Sequence, residues 1–122
     1  MILVDTSNWN DHLRRGDEHL KQLLAQNRAL SHPFVQGEMA LGNLRNRDQV
    51  LEAMSSLPQA TVAENEEVLH FISSRQIDGM GIGYVDAHLL ASVQLTAGAS
   101  LWTRDKRLAG VAAKLSLASG QA

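Results

Sequence analysis

Met1-Ile2-Leu3-Val4-Asp5-Thr6-Ser7-Asn8 opens the chain with four apolar residues, an acid, and three residues that favour helix starts. So short a run, apolar throughout, fits a strand buried on both faces of a parallel sheet. Asp5 to Asn8 then offer helix caps in a row, so the chain passes from strand to helix with a carboxylate at the junction. The same order returns near the other end. Ala99-Ser100-Leu101-Trp102-Thr103 is followed by Arg104-Asp105-Lys106-Arg107, a strand at Leu101-Trp102 and an acid where the last helix starts. Two strands ending in this way point to an α/β fold.

The segments between them fill in the alternation. A short helix is predicted over 9–14, broken at Gly16, and a second over 17–29 with Leu20, Leu23 and Leu24 on one face. Residues 29–32 read as a short strand, and Pro33 sits at the first turn of a helix that carries Glu38 mid-length and stops near Gly42. A helix over 46–57 ends at Pro58, 60–63 is a candidate strand, and 66–75 a further helix with Glu64, Glu66 and Glu67 at its start. Asp78-Gly79-Met80-Gly81-Ile82-Gly83 must be a loop. Val85, Leu89 and Val93 repeat helically over 84–96, ended by Gly98, and Leu117 is placed in a final short strand. The expected architecture is a three-layer α/β/α domain with a mostly parallel central sheet, one domain over 1–122.

Composition bounds the function. The 122 residues are 44% apolar and 20% charged, the values of a globular chain able to bury a core. With a formal charge of -2, contact with a polyanion has to come from a local basic patch. The chain has no cysteine, which removes disulfides, thiolate metal sites and cysteine nucleophiles. Neither a basic leader with a long apolar run nor a stretch of about 20 apolar residues is found, so no membrane association and a cytoplasmic location are expected.

Four acids, Asp5, Glu38, Asp86 and Asp105, fall where this fold can bring them to one edge. In open parallel sheets ligands gather beyond the carboxyl ends of the strands. Like charges about 4 Å apart repel by roughly 1 kcal/mol in water and about 4 at an effective dielectric near 20, so convergence calls for a cation. An all-oxygen set suits Mg2+, and such an ion serves hydrolysis of phosphodiesters. Each acid also has a plain structural account: Asp5 and Asp105 as helix caps, Asp86 as a complement to a helix dipole, Glu38 as a solvated glutamate.

The surroundings of these acids resemble the PIN-domain family, and within it the VapC-type toxins of toxin–antitoxin pairs, through MILVDTSNW, VQGEMALG, GIGYVDAHLLASV and LWTRDKRL. The resemblance spans nearly the whole chain. It implies an α/β/α nuclease domain dependent on Mg2+ or Mn2+, cleaving RNA by a water activated at an acidic cluster formed by Asp5, Glu38, Asp86 and Asp105. It also implies a cognate antitoxin that blocks this edge, a homodimer formed through helices, and supporting hydroxyls at Thr6 or Ser7 and at Thr103. A PIN-type RNA-processing nuclease outside a toxin–antitoxin pair and a non-cleaving RNA- or protein-binding module are the alternatives.

Other features are weighed against bland readings. Arg104, Lys106 and Arg107 surround Asp105 and are candidates for steering RNA phosphates; Arg14, Arg15, Arg45 and Arg47 extend a basic rim if the fold places them on the same edge. His88 stands two residues from Asp86, which on a helix points it to another face, so it reads as a packing or surface histidine. The glycines at 79, 81 and 83 lack the context of a phosphate-binding loop. Trp9 and Trp102 read as core or dimer-interface residues, and with 4% aromatics base stacking is expected to be minor. An aspartyl-phosphate mechanism at Asp5 wants a second aspartate two residues on, where Ser7 stands.

Overall fold

The computed structural model describes residues 1–120. Its centre is a parallel sheet of β1 (Ile2–Val4), β2 (Ala29–Leu30) and β3 (Ser100–Trp102), ordered β2-β1-β3. Seven helices surround it among the described residues, α1 (Thr6–Arg15), α2 (Glu18–Ala25), α3 (Pro33–Leu41), α4 (Arg47–Ser55), α5 (Asn65–Arg75), α6 (Tyr84–Leu95) and α7 (Lys106–Lys114), in a three-layer α/β/α arrangement. Leu3 and Val4 are fully buried, as a strand covered on both faces requires. The core is one continuous cluster that joins the strands to Leu20, Val35, Met39, Val68, Leu89, Leu90 and Leu108. Among the described residues no helix is long and apolar enough to cross a membrane.

Two expected strands shrink to single bridges. The segment 60–63 forms no strand: the one parallel bridge falls at Ser31 and Gln59, and Ala60 donates to the Ser31 carbonyl at 2.9 Å. Beyond it, the amide of Thr61 donates to Thr96 Oγ1 and that of Ala63 to Ser92 Oγ, so side chains of α6 and its C-terminal cap take the bonds a neighbouring strand would have made. At the other edge Leu101 bridges Ala118, and Leu117 only supplies its carbonyl to the Leu101 amide. The first helix begins at Thr6 and not at Trp9, because the Asp5 carbonyl already accepts from Asn8 and Trp9.

The strand order reverses direction at β1, with β2 on one side and β3 on the other. That reversal opens a crevice beyond the carboxyl ends of β1 and β3, the usual ligand position in such sheets. Asp5 and Thr103 are the residues immediately past those two ends, held together by the bond from the Asp5 amide to the Trp102 carbonyl at 3.0 Å.

Candidate active site

Asp5 stands at the N-cap position of α1 but makes no side-chain cap. Its Oδ2 accepts instead from Thr103 Oγ1 at 2.7 Å and Ser7 Oγ at 3.0 Å. The carboxylate is buried, 7% exposed, and forms no ion pair among the described residues. A buried charge without a cation is costly, and two hydroxyl bonds offset only part of that.

The other three acids come from three more elements. Glu38, exposed on α3, accepts from Thr6 Oγ1 at 2.7 Å, which fixes it beside the start of α1. Asp86 lies in the first turn of α6 and its Oδ2 accepts from the Gly83 amide at 3.4 Å. Asp105 caps α7 through Oδ1, which accepts from the Leu108 amide at 3.1 Å. The structural account of Asp105 as a cap therefore holds, while that of Asp5 does not. A common pattern runs through all four: one carboxylate oxygen is engaged inside the protein, and the other, Asp5 Oδ1, Glu38 Oε2, Asp86 Oδ1 or Asp105 Oδ2, has no protein partner among the described residues.

The four share one electrostatic environment. Burial pushes the Asp86 carboxyl above its usual value, the Gly83 amide opposes this, and Asp5, Asp105 and Glu38 add to the rise. Among the described residues no three acids or histidines close into a ready-made ligand cage. None of the four is ion-paired. A set of oxygen donors with spare lone pairs and no ion-paired cation among the described residues fits a hard divalent ion that retains several waters.

The flanking cations differ from one another. Arg104, expected to meet RNA, is tied to α1 and α2: its Nε is 3.0 Å from Asp11 Oδ2, and its Nη2 pairs with Asp17 Oδ2. Arg107 lies over the glycine loop, so that a Cβ on Gly81 would stand 2.6 Å from its Nη1. Lys106 is exposed and has no ion pair among the described residues. Arg47 bonds the Ala40 carbonyl, and Arg15 leans on Asp11. Arg14 and Arg45 meet in a cleft of about 690 Å³ with Asn10, Leu13, Asn43 and Asn46, between α1 and the α3–α4 connection. A second cleft, about 400 Å³, runs between α5 and α6 and includes Phe71 and Leu95. Neither is lined by the four acids.

His88 is buried against the rings of Phe34 and Tyr84, with centroids 4.6 and 4.9 Å away, the packing role expected of it. Trp9 and Trp102 are buried in the core. Asp11 and Asp17 were not singled out by spacing; the signal for Asp17 was its place just before a helical repeat, and it does cap α2 through the Leu20 amide at 3.0 Å.

A parallel α/β/α domain with carboxylates from four elements at one strand-end edge defines a class of acid-centred site. The chain belongs to the PIN-domain family, whose model matches residues 2–114. It is 48% identical over 118 residues to the protein named Ribonuclease VapC32 of Mycobacterium tuberculosis, in both strain CDC 1551 / Oshkosh and strain ATCC 25618 / H37Rv, covering 97% of this chain and 95% of the relative.

Proposed function

We propose that this chain is a metal-dependent endoribonuclease acting as the toxin of a toxin–antitoxin pair, working in the cytoplasm. The observation that carries the reading is the shared geometry of Asp5, Glu38, Asp86 and Asp105, each with one oxygen anchored and one oxygen spare. The similarity to a ribonuclease of the VapC type supplies the substrate class.

Asp5, Asp86 and Asp105, with Glu38 beside them, would hold Mg2+ or Mn2+. When bound, such an ion supplies positive charge at the scissile phosphate and lowers the pKa of water. The chain's own part is orientation. Ser7 and Thr103 pin Asp5 Oδ2 and leave Oδ1 without a protein partner among the described residues, Thr6 pins Glu38, and the Leu108 amide fixes Asp105. Lys106 and Arg107 stand beside Asp105 to attract the phosphate backbone. A cognate antitoxin would block this acidic edge, and the separate cleft of Arg14 and Arg45, where Leu13 is 42% exposed, suits a further segment of it carrying both acidic and apolar residues. A homodimer through the helices completes the reading.

The test is cleavage of cellular RNA by purified protein with Mn2+, beside Mn2+ titration by calorimetry. Asp5→Asn, which keeps shape and one hydroxyl-bonded oxygen, is expected to remove cleavage and weaken ion binding while the protein stays folded. Metal-dependent cleavage retained by Asp5→Asn at the wild-type rate rejects the assignment.

A further inference from the structure

We infer that Asp17 and Asp11 are positioning residues for the acidic cluster, acting through Arg104, and that Arg104 is a strut and not an RNA contact. The inference rests on the nuclease reading and deepens it.

Arg104 lies between two residues of the site, Thr103 and Asp105, on the turn that leaves β3. Its backbone amide donates to Ser7 Oγ at 3.2 Å, Ser7 donates to Asp5 at 3.0 Å, and Thr103 donates to the same Asp5 oxygen at 2.7 Å. The Asp105 amide closes the turn on Thr103 Oγ1 at 3.0 Å. Where this turn sits therefore decides where Asp5 and Asp105 stand. These four bonds hold it locally, but nothing in them ties it to α2.

The guanidinium makes that tie. It reaches Asp17, the cap of α2, whose side chain is 8% exposed, and Asp11 on α1, whose side chain is 15% exposed. Asp11 also collects Arg14 at 2.5 Å and Arg15 at 3.7 Å, so the strut ends in a charge network and not in one solvated pair. Arg14 foremost, with help from Arg15 and Arg104, holds the Asp11 carboxyl below its usual value. Charge-assisted contacts from one planar guanidinium to two carboxylates on different helices fix direction as well as distance. Arg104 Nε and Nη2 face carboxylates while Nη1 has no partner among the described residues and the side chain is 42% exposed, so the sign of the variants' effects decides between strut and phosphate contact.

The two roles predict opposite signs. If Arg104 met RNA, Asp17 would be a competing anion, and removing its charge would free the arginine and tighten RNA. If Arg104 is a strut, removing either charge loosens the same turn and lowers the same rate. Asp17→Asn is the probe, because asparagine keeps the helix cap through its one oxygen while the charge and the acceptor facing Arg104 are both lost.

The experiment compares Asp17→Asn, Arg104→Gln, the double variant and Arg104→Lys with wild type, measuring kcat, KM, the salt dependence of RNA binding and Mn2+ affinity by calorimetry, with melting curves to confirm folding. Each single variant is expected to lower kcat about 10- to 100-fold, the scale of a small misplacement of reacting groups. KM should stay within about twofold, since uniform binding is untouched. Mn2+ affinity should fall in parallel, the double variant should be no worse than the worse single one, and Arg104→Lys should restore part of the rate. Raised KM and a flatter salt dependence in Arg104→Gln, with Asp17→Asn unaffected or tighter for RNA, overturns the proposal. Wild-type protein that binds Mn2+ but cuts no RNA would reject the nuclease reading alone; the Mn2+ arm then decides the strut.

Discussion

Two groups of aspartates stand at the same edge of the molecule and are treated in opposite ways. Asp11 and Asp17 each meet at least one arginine, and both carboxyls lie below their usual range; at Asp17 burial works against this, but the Leu20 amide and Arg104 outweigh it. Asp5, Asp86 and Asp105 meet none, and Asp86 is pushed up. Arginine is not scarce at this edge, since Arg104 adjoins Asp105 in the chain and still turns away from it toward α1 and α2. The lesson is that the missing counter-charge is local design: one set of acids is consumed by structure, and the other is kept open at a cost in stability.

The largest expected effect pits one set against the other. Asp86→Asn should lower RNA cleavage by about three orders of magnitude or more, the scale of losing a member of a catalytic set. It should also raise the melting temperature of the metal-free protein at neutral pH. The sign follows from the raised carboxyl: the folded state binds the Asp86 proton more tightly than the unfolded chain, so ionisation weighs against folding above that raised value and not below the ordinary 3.8. Asp17→Asn should do the reverse, because a carboxyl held low in the fold contributes stability above its ordinary value of 3.8, lost as pH falls toward the folded value. Thermal melts of both variants at pH 7 and pH 3.5 check this; equal shifts of the same sign would erase the distinction between the two sets.

A third polar group extends the contrast to the interior. His32 is fully buried, its Nδ1 accepting from the Phe34 amide at 3.0 Å and its Nε2 bonded to Ser92 Oγ at 3.0 Å. Burial, with a smaller contribution from His88, lowers its pKa from 6.5 to about 4. The unfolded chain takes up that proton near 6.5 and the folded one does not, so stability is full above 6.5 and falls as pH drops to about 4. The expected loss is roughly 3 kcal/mol. Denaturant unfolding at pH 7, 5.5 and 4.5 measures it, and His32→Asn, which keeps a capping acceptor, should flatten the slope. An unchanged slope would show the imidazole to be protonated within the fold.

Most of this architecture was legible because strand ends and helix starts leave local marks. MILVDTSN fixes both a buried strand and the acid beyond it, and Pro33 and Gly83 mark the starts of the helices that carry Glu38 and Asp86. What stayed hidden depends on contacts between distant segments. The strand expected over 60–63 is apolar enough to form, but Ser92 and Thr96, about thirty residues on, take its amides. Arg104 stands beside Asp105 in the chain, and only the fold brings Asp11 and Asp17 to it. Spacing alone also could not tell that Asp105 caps its helix while Asp5, in the same local pattern, does not.

Smaller effects should follow from the hydroxyls that orient the open set. Thr103→Ala removes the shorter of the two bonds to Asp5 and also the acceptor of the Asp105 amide; Ser7→Ala removes the longer bond and the acceptor of the Arg104 amide. Partners of ligating groups typically carry about 10- to 100-fold of metal affinity. Thr103→Ala should lie toward the upper end and Ser7→Ala toward the lower, measured by Mn2+ calorimetry. Thr103→Ser should recover most of the loss, whereas a failure to recover would assign the effect to packing of the methyl group.

The smallest effect concerns the other arginine, Arg107, and asks whether it is spent as Arg104 is. Gly81 has φ +80, and a Cβ there would stand 2.6 Å from Arg107 Nη1 and 3.2 Å from its Cδ. Gly81→Ala therefore carries two costs. The backbone cost, a side chain at positive φ, is about 1 kcal/mol and cannot be relieved. The steric cost falls on the end of a flexible exposed side chain, which can swing off the loop. If Arg107 only rests there, Gly81→Ala should destabilise by about 1 kcal/mol with or without Arg107→Ala, and RNA affinity should shift with the displaced guanidinium. If Arg107 holds the loop that leads into Asp86, the two substitutions will be coupled in melting temperature, and Arg107 will join Arg104 among the structural cations, leaving Lys106 as the charge beside Asp105 still free to meet RNA.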